Sequence, residues 1–145
     1  MRMTDYIDKT KTTVDILRDW RDQQWKAENG RERLAEINAR LTSVTGRMSP
    51  VVSGGNRSGD AMAEGLAKKE IVARGYDMAR DYLRELTPCW ERLSEEEQYM
   101  LTVRYIDHDE GNGIGQIMEK YHVSRSEAYR RSDAALSRLS KLLFW

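Results

Sequence analysis

The sequence predicts an all-α protein, a long N-terminal helical hairpin followed by a C-terminal helix-turn-helix unit. Three observations carry this expectation. Only two prolines occur in 145 residues, and proline is the residue that most strongly breaks a helix. Apolar residues in the first half recur at spacings of three and four, the period that places them on one helical face. The pattern Ser-x-x-Glu stands twice in the C-terminal part, at Ser94–Glu97 and Ser124–Glu127. In that pattern the serine and the glutamate can cap a helix start reciprocally.

The first helix is expected from about Thr4 to Thr45. Its clearest stripe is Leu34, Ile37, Leu41, Val44 and Met48, a heptad-like seam that lets one helix pack along another. Upstream, Ile16, Leu17, Trp20 and Trp25 are apolar, while Gln23, Gln24 and Gly30 weaken the stripe. The stripe is too short to demand a coiled coil, and an amphipathic helix in a local bundle is the simpler reading.

A break follows at about 46–59, where four of the ten glycines and one of the two prolines fall. Such a composition marks a flexible loop. The glycines follow no strand and lack the Gly-Lys-Ser/Thr ending of a phosphate-binding loop.

The second helix is expected from Asp60 to about Leu86, with Met62, Leu66, Ala73, Tyr76, Leu83 and Leu86 at helical spacing and Lys69 and Arg80 interrupting. Two long helices joined by a glycine-rich loop fold back most simply as an antiparallel hairpin. Neither stripe is rich enough for an independent core, so the N-terminal helices are expected to pair with another copy in a homo-oligomer. Thr87-Pro88 should end the second helix, because the residue before proline is driven out of the helical region. The expected organisation is therefore a hairpin over 1–88 and a second unit over 89–145.

Composition excludes several function classes. Twenty-four Lys and Arg balance twenty-four Asp and Glu, so any local field must be sought segment by segment. Cys89 is the single cysteine; it can form no intrachain disulfide, which fits a reducing compartment. With two histidines, His108 and His122, a zinc site is not expected. The start lacks the apolar stretch of a signal peptide, and no run approaches the ~20 apolar residues of a membrane span. The expectation is a cytoplasmic protein with no membrane partner. No Ser-His-Asp set, paired carboxylates or metal-ligand spacing is legible, so neither an enzyme nor a cofactor is expected. Cys89, beside Pro88 and Trp90, reads as a packed thiol.

In the C-terminal unit a helix should start after Ser94 and run to about Ile106, with Leu93, Tyr99 or Met100, Val103, and Tyr105 or Ile106 facing inward. Residues 107–113 form an acidic, glycine-rich loop. It lacks the third glycine and preceding strand of a dinucleotide fingerprint and the terminal glutamate of a calcium loop. A short helix over Ile114–Tyr121, with Ile117 and Met118 facing in, is followed by a turn at His122-Val123. The last helix begins after Ser124. This order is helix, short turn, helix, and in such a motif the start of the second helix enters the major groove. Charge is segregated accordingly. Gly113–Trp145 carries six bases and three acids, and Ser94–Asn112 one base and six acids.

The run from Leu101 to Phe144 resembles the helix-turn-helix of sigma factor region four. Leu101, Arg104, Tyr105, Ile117, Val123, Ser124, Tyr129, Arg131, Ala135, Leu136 and Leu139 stand at the matching positions. The overall layout resembles the phage ArpU/RinA-like transcriptional regulators. Two departures are the longer acidic loop after Tyr105 and Met118 in place of a small residue.

The resemblance implies a sequence-specific transcriptional regulator, phage or prophage encoded, acting on double-stranded DNA in a bacterial host cell, with RNA polymerase a further candidate partner. It places Arg125, Ser126, Tyr129 and Arg130 on the exposed start of the recognition helix. Arginine can pair bidentately with guanine, and serine or tyrosine can reach bases or phosphates. Arg131 and Lys120 would hold phosphates and fix the register. Glu127 either completes its cap or accepts from cytosine, and Ser124 is structural. Tyr105, Ile117, Val123, Ala128, Leu136 and Leu139 should be core. Two other readings use the same features: a small terminase-like DNA-packaging recognition protein, and a module that contacts RNA polymerase without reading DNA.

Overall fold

The computed structural model describes residues 8–46, 57–107 and 113–145. Among them all regular structure is helical, and the fold is all-α. The order is α1 (Lys9–Gly46), α2 (Arg57–Glu91), α3 (Glu95–Leu101), a π-helical segment (Thr102–Ile106), α4 (Gly113–Tyr121) and α5 (Arg125–Leu143). The expected helix start at Thr4, the break residues 47–56 and most of the acidic loop, 108–112, lie outside the described residues. No described helix is long and apolar enough to cross a membrane.

Two compact units are present. One comprises the described part of Met1–Asp22 together with Leu83–Trp145, the other Gln23–Tyr82. The boundary expected at 88/89 therefore falls inside the first unit.

In the second unit, segments of α1 and α2 meet at glycines. A Cβ on Gly30 would lie 2.3 Å from Cδ2 of Tyr76, and one on Gly65 2.6 Å from Cδ2 of Leu41. Moving up α1 from Gly30 to Leu41 moves down α2 from Tyr76 to Gly65, so the two segments run antiparallel here. Gly30, which weakens the stripe in the sequence, is what lets the Tyr76 ring approach the α1 backbone. Ile37 and Ala79 are buried. Trp25, Leu66, Ile71 and Met78 remain largely exposed.

The first unit holds most of the core: Leu17, Leu86, Leu93, Met100, Leu101, Val103, Tyr105, Ile114, Ile117, Ala128, Ala135, Leu136 and Leu139 are buried. Asp8 caps α1 by accepting from the Lys11 amide at 3.0 Å. Trp20 meets Trp90 edge to face, centroids 4.7 Å apart. The arrangement gains dispersion and quadrupole attraction beyond area burial.

The structure corrects the expected end of the second helix. Pro88 lies inside α2, which continues to Glu91. Proline deletes one backbone donor, but tertiary contacts outweigh that loss. Trp90 is held by Trp20, and the Cys89 thiol donates to the Leu142 carbonyl at 3.5 Å. The Gln98 amide nitrogen donates at 2.9 Å to the Trp90 carbonyl, which also accepts from the Leu93 amide at 3.0 Å, and so ties the end of α2 to α3.

Candidate nucleic-acid interface

The last three helices are joined by local devices written in the sequence. At the start of α3, Ser94 and Glu97 form the full reciprocal box: the Glu97 amide donates to Ser94 Oγ at 3.1 Å, and the Ser94 amide donates to Glu97 Oε1 at 3.0 Å. Arg138 of α5 also donates to Glu97 and, at 3.1 Å, to the Arg92 carbonyl. Partial burial pushes the Glu97 carboxyl up. The Ser94 amide and hydroxyl, with Arg138, outweigh this and hold it below the usual carboxylate range.

Beyond Leu101 the helix widens. The Asp107 amide donates to the Thr102 carbonyl at 2.7 Å, the five-residue step of a π turn. The expected single helix to Ile106 is thus α-helical only to Leu101. Gly113, expected in the polar loop, instead begins α4 and is buried. A Cβ there would lie 2.5 Å from the Val103 carbonyl oxygen and 2.9 Å from Arg104 Cα. No side chain fits, and α4 touches the π segment backbone directly. The tight crossing that a small residue at 118 would have given is made at 113, while Met118 packs against the core cluster of Met100, Val103, Ile114, Ile117 and Ala128.

The turn between α4 and α5 is a Schellman closure. The Val123 amide donates to the Met118 carbonyl at 3.2 Å, and His122 takes φ 53°, the left-handed conformation this closure requires. Histidine is among the residues that tolerate this region better than most. Val123 and Met118 pack on the same cluster. Ser124 then accepts from the Glu127 amide at 3.2 Å and starts α5.

Here the structure departs from the sequence reading, because the second box is half formed. The Glu127 carboxylate does not return to the Ser124 amide. It accepts from Arg130 Nε at 2.8 Å and Nη2 at 2.5 Å, and from Arg131 Nε at 2.9 Å. Arg131 also donates to Glu96 of α3 at 3.0 Å. The bonds from Arg130, then those from Arg131, hold the Glu127 carboxyl down at about 2. Both guanidinium groups are raised in return by the Glu127 carboxylate.

The predicted contact residues therefore divide. Arg125, Ser126, Tyr129 and Arg130 are exposed on the first turns of α5. Among the described residues Arg125 has no ion-pair partner, and Ser126 Oγ lies 3.2 Å from Ser124 Oγ. Tyr129 is 41% exposed. Arg131 is half-buried between Glu127 and Glu96, so its expected role as a free phosphate clamp is not what its surroundings favour. Lys120 is exposed at the end of α4, its ammonium 3.7 Å from the Tyr99 ring centroid. That contact fixes its stem while leaving donors for an anion.

Arg104 is a positioning residue that the sequence marks only by its place in the Leu-x-x-Arg-Tyr match. From the π segment its Nη1 donates to Ser132 Oγ at 2.8 Å and to Asp133 Oδ1 at 2.5 Å. Its guanidinium carbon lies 5.1 Å from the ring centroids of both Tyr105 and Tyr129. Tyr129 is thereby braced while one side stays open to solvent. Of the expected core, Tyr105, Ile117, Ala128, Leu136 and Leu139 are buried and Val123 is partly buried. Burial pushes the Tyr105 hydroxyl up, against the pull of Arg104.

Among the described residues no cluster of His, Cys, Asp and Glu is placed to hold a metal. No protein-family model, curated protein or solved structure matches this chain.

Proposed function

We propose that the protein is a sequence-specific, double-stranded-DNA-binding transcriptional regulator of the phage or prophage type, with α5 as its recognition helix. The observation that carries this reading is one face of α5. Arg125, Ser126, Tyr129 and Arg130 are presented together on its first turns, after a short turn and a helix seated on the π segment backbone at Gly113. These are donors of the kind that read base edges in a major groove. The cationic side chains at the helix start are partly neutralised by Glu127 and Glu96. One copy then offers few phosphate contacts, and affinity rests on more than one copy. The exposed Trp25, Leu66, Ile71 and Met78 of the second unit support association through the N-terminal helices. The protein works as a binding protein in the bacterial cytoplasm, without a cofactor.

The test is selection of bound DNA from a random pool by the purified full chain. A recovered palindrome would establish readout and two-fold symmetry together. Arg125→Ala combined with Arg130→Ala should weaken binding to that motif by at least about tenfold with an unchanged circular dichroism spectrum. No enrichment, or unaltered binding by the double variant, would remove the DNA reading and leave contact with RNA polymerase as the reading to pursue.

A further inference from the structure

Glu127 and Arg130 form an unusual pair for a helix start. A guanidinium group is planar and has two edges that can each offer parallel donors, one made by Nε and Nη2, the other by Nη1 and Nη2. Glu127 occupies the first edge with bonds of 2.8 and 2.5 Å. The second edge has no partner among the described residues, and the Arg130 side chain is 69% exposed. The carboxylate is itself fixed from the other side by Arg131, which is tied to Glu96 on α3. An alternating chain of charges thus runs Arg130, Glu127, Arg131, Glu96, and anchors the plane of the Arg130 guanidinium to the body of the domain.

A free arginine samples many rotamers and attracts any phosphate within reach. Both properties work against selectivity. Arg130 has lost much of the first, and Glu127 cancels much of the second by placing a negative charge against it.

Resting on the DNA-binding reading above, we propose that Glu127 is a specificity-determining positioning residue: it holds Arg130 so that its free edge meets a pair of acceptors in one plane, as guanine O6 and N7 present in the major groove, and it suppresses binding to phosphate alone. The cost is lower affinity for DNA in general; the gain is a larger difference between a guanine at the contacted position and any other base. The capping function does not depend on this carboxylate, because Ser124 accepts the Glu127 amide, so the role can be tested without undoing the helix.

The experiment compares wild type, Glu127→Gln and Arg130→Lys as full chains on two duplexes. One carries the motif recovered by the wild-type chain, and the other is a fixed duplex without it. Each is titrated from 50 to 200 mM salt. Glu127→Gln should bind the second duplex more tightly, with a log K against log salt slope steeper by about one. Its preference for the motif should fall about tenfold, most at the guanine contacted by Arg130. Arg130→Lys keeps the charge but loses the planar fork, so its preference should fall with the slope nearly unchanged. Glu127→Asp keeps the charge on a shorter stem, so its salt slope should return to the wild-type value while its preference stays low; full recovery of preference would leave charge as the cause and overturn the positioning role. Equal tightening on both duplexes by Glu127→Gln, or an unchanged preference in both Glu127→Gln and Arg130→Lys, overturns the inference while leaving DNA recognition standing. Failure of the wild-type chain to recover any motif overturns the DNA reading and this inference with it.

Discussion

Two helices of this protein begin with the same four-residue pattern, Ser-x-x-Glu, and only one of them uses it in full. At α3 the serine and the glutamate cap each other reciprocally. At α5 the serine caps, but the glutamate turns away to two arginines. The difference lies one turn further on. Three and four residues after Glu97 stand Met100 and Leu101, both buried in the core. The same steps from Glu127 lead to Arg130 and Arg131. Side chains at these spacings are neighbours on a helix surface. A carboxylate–guanidinium bond has charge on both partners and is here bidentate from Arg130, whereas a bond to the backbone amide has charge on one partner only. The lesson is that a capping motif is read in competition with the next turn. Where that turn is apolar the box closes, and where it is cationic the carboxylate is drawn out onto the surface.

The largest effect that sharpens this contrast should be seen at α3. Glu97→Ala should lower stability in urea unfolding by about 1 kcal/mol, because the Ser94 amide loses its acceptor and Arg138 its partner. Glu127→Ala should cost less, since the Ser124 hydroxyl still caps the helix and the arginine pairs that are lost lie at the surface. Equal losses from the two substitutions would break the comparison.

A smaller effect is expected in acid. The Glu127 carboxyl sits at about 2 in the folded chain, against ~4.3 for an unperturbed glutamate. Its folded value is depressed, so its contribution is present above ~4.3 and is lost as pH falls toward 2. Carbon-detected NMR titration should place its midpoint near 2 and move it up toward the unperturbed value in Arg130→Ala plus Arg131→Ala. Thermal melts over the same range should show less acid sensitivity in Glu127→Gln than in wild type. A Glu127 midpoint near 4 in the wild-type chain would mean that the arginine pairing does not persist in solution.

The smallest effect is the most direct. In the same double arginine variant Glu127 is free to return to its box, and amide exchange at Ser124 should slow. Unchanged exchange would show that the arginines are not what opened it.

Much of the fold is legible in the sequence because it rests on local rules. The two serine caps and the α4 and α5 starts to within a residue follow from spacing, and Ile117, Ala128, Leu136 and Leu139 are buried where the resemblance places core residues. What sequence reasoning missed depends on contacts distant in the chain. Pro88 does not stop α2, since Trp20, Gln98 and Leu142 hold its last turn from elsewhere. Gly30 read as a weak point and Gly113 as a loop residue, yet each is where another segment approaches too closely for a Cβ. The signal for Gly113 was its position at the head of an amphipathic helix; what it lacked was the partner backbone at Val103. At the candidate site the exposed residues were legible and their pairing was not. Two arginines spaced three and four from a glutamate were visible, but the cap offered an equally simple use for the same carboxylate.

The π segment at Thr102–Ile106 carries a last consequence, about length rather than chemistry. A π turn spends one more residue than an α turn over the same rise. Removing any one residue between Leu101 and Asp107 would let the helix close at normal pitch. Side chains within the segment would turn by up to about 100° as it closed, while the helix before it keeps its place. Arg104 would leave Ser132 and Asp133, and Gly113 would lose its seat on the Val103 carbonyl. The stretch should therefore tolerate replacements on its exposed side better than a deletion, because the extra residue is what brings Arg104 to the groups it holds on α5.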